Sequence, residues 1–178
     1  MEPICEATIS TGLGDITVRC SERGIREVAF GAGQKSPNSR NGHAPNGRAN
    51  VEVNGQSSRG AARSRQWSRQ AVQELKEYAG GERKKFTVPL DLEGTSFQKR
   101  VWKALRTIPY GQTRSYGEIA RQVGNPRAAR AVGMANHENP IAIVVPCHRV
   151  IAGDGSLGGY AGGLKKKSTI LNLEKSHA

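Results

Sequence analysis

Cysteine, histidine and arginine stand side by side at residues 147–149, directly after Ile141-Ala-Ile-Val-Val-Pro146. The apolar run has strand length, and such runs belong in cores. The cluster at its end is therefore chemistry held on a rigid support. A free cysteine has a pKa near ~8.5, so only a few per cent is thiolate at neutral pH. Neighbouring His148 and Arg149 can stabilise the thiolate or help remove its proton, which makes a nucleophile of Cys147. A lone cysteine in an apolar run is more often structural; the flanking His and Arg shift the balance.

The segments on either side must position that cluster. Thr95 and Gln98 form a capping box that opens a helix with Phe97, Val101, Trp102 and Leu105 on one face. Ser115 and Glu118 form a second box, for a helix that Gly124 stops. Asn125-Pro126 then reads as N-cap and first-turn proline of a third helix, Pro126 to about Asn136. Two short helices joined by a tight glycine turn are a helix-turn-helix signal. The third helix is rich in small residues, among them Ala128, Ala129, Ala131, Gly133 and Ala135, while Arg127 and Arg130 project. It offers few side chains that read base edges in a major groove, and its bareness suits close approach to a minor groove or packing against the core. Downstream of the cysteine, Gly153-Asp-Gly155 and Gly158–Gly163 read as a glycine-rich wall that brings backbone N–H groups close to a ligand. Lys165 to Leu173 closes as a helix, and Glu174 beyond it reads on its own as a solvated terminal charge.

The first half reads differently. Residues 4–30 give three glycine-separated strands, a meander signal. From 31 to 65 the composition dissolves into Gly, Asn, Ser, Arg and Pro, with six basic residues and one acid, Glu52. That reads as a mobile basic insert, more a solvated loop than a binding element. Ser64 to Tyr78 is a helix with Trp67, Ala71, Leu75 and Tyr78 at helical spacing, stopped by Gly80-Gly81, and Lys85 to Leu90 a further strand. The fold class is thus an α/β N-terminal domain, a small antiparallel sheet with a helix, over 1–92. A mostly α C-terminal domain with a helix-turn-helix follows over 93–178.

Charge points to a partner. The chain of 178 residues carries a formal net charge of +12. Residues 94–178 hold 13 Lys/Arg and 4 Asp/Glu, a net +9, whereas residues 1–93 hold 14 and 11, a net +3. A basic excess concentrated in one half implies a polyanion, most simply nucleic acid. No basic amphipathic helix or lipidation signal supports a membrane surface. Three cysteines make no disulfide framework and fit a reducing compartment. With no signal peptide and no span-length apolar run, the expectation is a soluble protein of the cytoplasm, or of the nucleus in a eukaryote.

Pro146-Cys147-His148-Arg149 resembles the active-site motif of the O6-alkylguanine-DNA alkyltransferases, also called methylated-DNA–protein-cysteine methyltransferases. The resemblance runs in order through Ser96-Phe-Gln98, Val101-Trp102, Ile108-Pro-Tyr-Gly111, Ser115-Tyr116, Gly124-Asn-Pro126, Arg130-Ala-Val-Gly133, Asn139-Pro140, Gly159-Tyr160 and Gly162-Gly-Leu164. It implies a monomeric repair protein that acts on double-stranded DNA carrying O6-alkylguanine, and less well on O4-alkylthymine. The alkyl group would move irreversibly to Cys147, with no cofactor. It further implies that His148 acts as base through a water, oriented by Glu174, and that Tyr116 donates a proton to the leaving guanine. Arg130 would intrude where the flipped base was, and Asn139 would brace the active-site turn. The Val150 carbonyl and Ala161 N–H would meet the guanine edge, and Tyr160 would line the pocket. Arg127 and Ala129 fall on the DNA side. Ala161 stands where some relatives carry serine, so only a backbone contact survives there. Some members bind zinc through two cysteines and two histidines; Cys5 and Cys20 resemble the cysteines, but Arg26 occupies one histidine place, so no metal is expected.

Two rivals belong to other classes. A noncatalytic DNA-damage sensor would lack the motif cysteine. A Cys–His hydrolase would need an oxyanion hole and a distant histidine, and adjacent Cys147 and His148 would point apart on an extended segment.

Overall fold

β-branched runs broken by tight glycine turns fold residues 4–30 into an antiparallel meander. β1 is Ile4–Thr11, β2 Gly14–Ser21 and β3 Gly24–Phe30. A computed structural model describes residues 4–31, 53–54 and 58–178, and the chain divides into two units, Met1–Leu92 and Glu93–Ala178. The first unit is α/β and the second mostly helical. A short β4, Val53–Asn54, pairs with β1, so the sheet order is β3-β2-β1-β4. Cys5 and Cys20 sit opposite each other on β1 and β2, both fully buried. Burial and the neighbouring Cys5 thiol push Cys20 up to about 12. Among the described residues no third His, Cys, Asp or Glu joins them.

Helix α1, Ser58–Ala79, packs on β1 and β2. It begins six residues earlier than its apolar periodicity implied. Its buried side is Ala61, Ser64, Ser68, Ala71, Leu75 and Tyr78, a three-and-four spacing whose first half is too small and too polar to register as an apolar stripe. Trp67 is not on that side; it is half-buried and its indole N–H donates to the Glu22 carbonyl at 3.0 Å. Of the basic insert expected over 31–65, β4 takes Val53–Asn54 and α1 takes the residues from Ser58 on. Residues 32–52 and 55–57, where mobility was expected, lie outside the described residues.

The strand expected over Lys85–Leu90 does not form a ladder. Only Leu90 bridges, to Ile25. The reason is local competition for donors. The buried carboxylate of Glu74 accepts the N–H groups of Thr87 at 2.9 Å and Val88 at 3.3 Å, and Pro89 has no N–H to give. Ile25 N–H still reaches the Pro89 carbonyl at 2.8 Å. That contact demands glycine at 24, since a Cβ there would stand 2.2 Å from the Pro89 oxygen.

In the second unit both capping boxes form. Thr95 caps α2, Ser96–Leu105, with Gln98, and Ser115 caps α3, Tyr116–Gln122, with Glu118. Val101, Trp102, Ala104 and Leu105 bury one face of α2, while Phe97 is half-buried. The buried Trp102 indole donates to the Ala135 carbonyl at 2.8 Å, which ties α2 to α4, Ala129–His137. Helix α4 starts three residues later than Asn125-Pro126 implied. The Asn125 carbonyl accepts from Ala128 N–H at 3.0 Å, so 125–128 is a turn before the helix. The helix itself has no side-chain cap. β5, Arg114–Ser115, pairs in parallel with β6, Val150–Ile151, and α5, Leu164–Ser176, ends the described fold. Among the described residues no helix is long and apolar enough to cross a membrane.

Candidate active site

The run before the cysteine is buried but is not a strand. Val144 N–H bonds the Ala142 carbonyl at 2.8 Å, Val145 N–H bonds Ile141 at 3.0 Å, and Cys147 N–H bonds Val145 at 2.8 Å. Asn139 imposes this coil: its Oδ1 accepts Ile141 N–H at 3.0 Å and its Nδ2 donates to the Val145 carbonyl at 2.8 Å, so one amide holds both ends. The coil drives Ile143 to φ 70, a left-handed conformation rare for a β-branched residue. Such strain costs about 1–3 kcal/mol and persists only where the surroundings over-determine it. Residues 147–149 then form one 3-10 turn, not the extended segment expected, so Cys147 and His148 do not alternate across a strand.

Cys147 is buried, and Asn139 Nδ2 reaches its Sγ at 3.1 Å. Burial pushes the thiol up. The Asn139 hydrogen bond and the Lys167 ammonium work against that. Beside it, His148 Nε2 lies 2.8 Å from Glu174 Oε1, both fully buried. The arginine is not spent on the thiolate. Arg149 Nε donates to Glu174 Oε2 at 2.9 Å, its Nη2 to Oε1 at 2.8 Å, and its Nη1 to the Ile108 carbonyl at 2.8 Å. Gly111 N–H adds a bond to Oε2 at 3.1 Å. Burial would raise the Glu174 pKa, but the bonds from His148 and Arg149 outweigh it and hold the carboxyl well below the usual range. An ionised carboxylate only accepts, so His148 Nε2 carries the proton and Nδ1 presents a lone pair. Burial lowers the His148 pKa against the pull of Glu174, which keeps the ring neutral. Glu174, a solvated charge on sequence grounds, is the buried centre of this network.

Tyr116, first residue of α3, is half-buried, and burial and the nearby Cys147 raise its phenol pKa. Its ring packs on the glycine-rich wall: a Cβ at Gly158, φ 64, would meet the hydroxyl at 2.8 Å. The Tyr160 hydroxyl is buried, and burial raises its pKa well above normal, with Cys147 next in effect. Ala161 is exposed on the same loop. Arg127 and Arg130 are exposed, Arg127 in the turn before α4 and Arg130 on its outer side with Ala131 and Met134. Ala129 is half-buried, whereas Ala128 and Ala135 pack in the core.

Sequence reasoning missed Lys167. It is fully buried on α5, and its Nζ donates to the carbonyls of Val150 at 2.6 Å, Leu157, and Gly159 at 3.5 Å. One ammonium thereby ties the middle of the wall to β6 and already engages one lone pair of the Val150 carbonyl. Nothing in the basic run Lys165-Lys-Lys167 marks the third lysine, because its partners are backbone carbonyls brought in by the loop.

Taken together, the second unit is a basic helical scaffold around a buried thiol, with a neutral imidazole beside it oriented by a carboxylate. That is the equipment of a cysteine nucleophile. Residues 96–176 match the DNA binding domain of 6-O-methylguanine DNA methyltransferase, and residues 4–92 match its ribonuclease-like domain. A methylated-DNA–protein-cysteine methyltransferase of Methanosarcina acetivorans is 45% identical over 170 residues, 96% of this chain and 97% of that protein. One from Mycolicibacterium paratuberculosis is 63% identical over 108 residues, 61% of this chain; the match spans 66% of that protein, just under two thirds of its length. The crystal structure of Mycobacterium tuberculosis OGT in complex with DNA superposes with a TM-score of 0.76 at 44% identity, covering 96% of this chain and 92% of that one. The chain belongs to the 6-O-methylguanine-DNA methyltransferase family.

Proposed function

We propose that this protein repairs DNA by rotating O6-alkylguanine out of the duplex and moving the alkyl group to its own Cys147, once per molecule. O4-alkylthymine is a poorer substrate of the same site. The observation that carries the reading is the His148–Glu174–Arg149 network, which leaves a neutral, correctly protonated imidazole one residue from a buried thiol. An alkyl group on O6 is out of reach in a stacked base, so the base must be extruded at a cost of a few kcal/mol. His148 Nδ1 takes the Cys147 proton through a water; the thiolate attacks the alkyl carbon, the carbon–O6 bond breaks, and Tyr116 protonates the departing guanine. A raised phenol pKa suits that task, since it keeps the proton in place until charge develops on the base. Asn139 braces the turn that carries the thiol, and the Val150 carbonyl and Ala161 N–H meet the base edge beside Tyr160. The first unit serves as scaffold, and the second binds DNA and transfers the group.

The α3–α4 pair serves as the helix-turn-helix. Its exposed side, with Arg127, Arg130, Ala131 and Met134, faces the duplex, where bare small residues let the helix approach closely, and Ala129 supports that face. The net +9 of residues 94–178 supplies phosphate affinity. The test is intact-protein mass after incubation with methylated duplex. One added methyl is expected; an unchanged mass means a sensor or a different chemistry.

Arg130 fills the gap left by the rotated base. Arg130→Ala should slow repair of a lesion in duplex DNA by roughly tenfold or more, the effect of about 1.4 kcal/mol lost from the flipped state. Attack on free O6-benzylguanine needs no flipping and should proceed at the normal rate. Single-turnover rates on the two substrates check this, and equal slowing on both would remove Arg130 from the role.

A further inference from the structure

Asn136 is a buried amide in an otherwise apolar part of α4, between Val132 and Ala135 on one side and Asn139 on the other. The residue is 8% exposed, and among the described residues neither its Nδ2 nor its Oδ1 has a hydrogen-bond partner. A buried amide without partners costs free energy that an apolar side chain of the same volume would not. Its position says what it faces. Residues three apart share a side of a helix. Gly133, one turn before, lies against Tyr116: a Cβ there would stand 3.8 Å from the ring carbon Cε1. Asn139, three residues after, bonds the Asn136 carbonyl through its N–H at 3.3 Å and the Cys147 sulfur through its side chain at 3.1 Å. Asn136 thus stands in the chain between Gly133, which meets the Tyr116 ring, and Asn139 just beyond the helix, whose side chain reaches the thiol.

We infer that Asn136 is a specificity-determining residue whose amide hydrogen-bonds the extruded purine held between Tyr116 and Cys147. The inference rests on the reaction proposed above, in which the base occupies that interval. An asparagine amide presents a donor and an acceptor side by side, the complement of the amino donor and neighbouring ring-nitrogen acceptor of a guanine. The bond is made only when the base enters, which explains why the group is unpaired in the protein alone. Apolar neighbours Val132 and Ala135 leave the amide as the polar group α4 itself contributes there.

The experiment compares wild type with N136L, which keeps the branched shape and removes the amide, and N136A, which removes both. Thermal midpoints and single-turnover rates are measured with O6-methylguanine duplex and with free O6-benzylguanine. N136L should be at least as thermostable as wild type yet about tenfold slower on both substrates, the loss of roughly one hydrogen bond in the occupied pocket. Wild-type rates on both would overturn the inference, because the amide then serves something other than the base. Slowing on the duplex alone would also overturn it, placing the contact on DNA outside the pocket. If N136L does not fold, N136A carries the same comparison. A wild-type protein that takes up no methyl at all would sink the proposed reaction instead, so the two failures are distinct.

Discussion

With excess methylated duplex, product should rise in a burst to one methyl per protein and stop, and Cys147→Ser should reduce that burst to zero. The thioether formed on Cys147 is a poor leaving group, and among the described residues the site holds no second thiol to displace it. The other two thiols, Cys5 and Cys20, lie in the sheet of the first unit, fully buried, and Cys20 is pushed up to about 12 by burial and by Cys5. Serine cannot substitute, because its hydroxyl stays protonated where a thiol can be ionised by His148. DNA binding should survive, since the basic outer side of α4 is untouched. Quench-flow product counts and peptide mapping of the methyl decide the matter. Turnover beyond one equivalent, or a methyl on Cys5 or Cys20, would refute the mechanism.

Glu174→Gln should lose both stability and reactivity. It leaves Arg149 as a buried cation without its carboxylate, and breaking a buried pair from one side costs about 3–5 kcal/mol. It also frees the His148 tautomer, because an amide can donate as well as accept, and loss of an oriented base slows transfer roughly a hundredfold or more. The pH dependence separates this from a general loss of packing. The folded pKa of Glu174 lies below its ordinary 4.5, so between the two values the unfolded state binds the extra proton. The stabilisation is therefore complete above about pH 4.5 and is lost as pH falls toward the folded value. Denaturant titrations from pH 7 downward should show that acid limb in the wild type and a much flatter one in Glu174→Gln. An equally steep limb in both proteins would mean that the carboxylate is not the group held by Arg149.

Much of this protein is local in origin and is legible in its sequence. Period-two runs between glycines specify β1 to β3, and the two capping boxes mark the starts of α2 and α3 to the residue, because each needs only neighbours three positions apart. Cys147 and His148 are adjacent in the chain and were visible together as a candidate nucleophile and its base. What adjacency cannot supply came from the tertiary fold. The apolar run 141–145 carries a strand's composition, yet it coils because the Asn139 amide satisfies both its ends. Residues 85–90 fail as a strand because Glu74, far along α1, takes their donors. Glu174 and Lys167 look like surface charges of a terminal helix until α5 packs. One then closes a network with His148 and Arg149, and the other is buried against the carbonyls of a loop. Sequence pattern reports which side chains prefer to be buried; only packing decides which charges are buried with them, because that depends on partners distant in the chain.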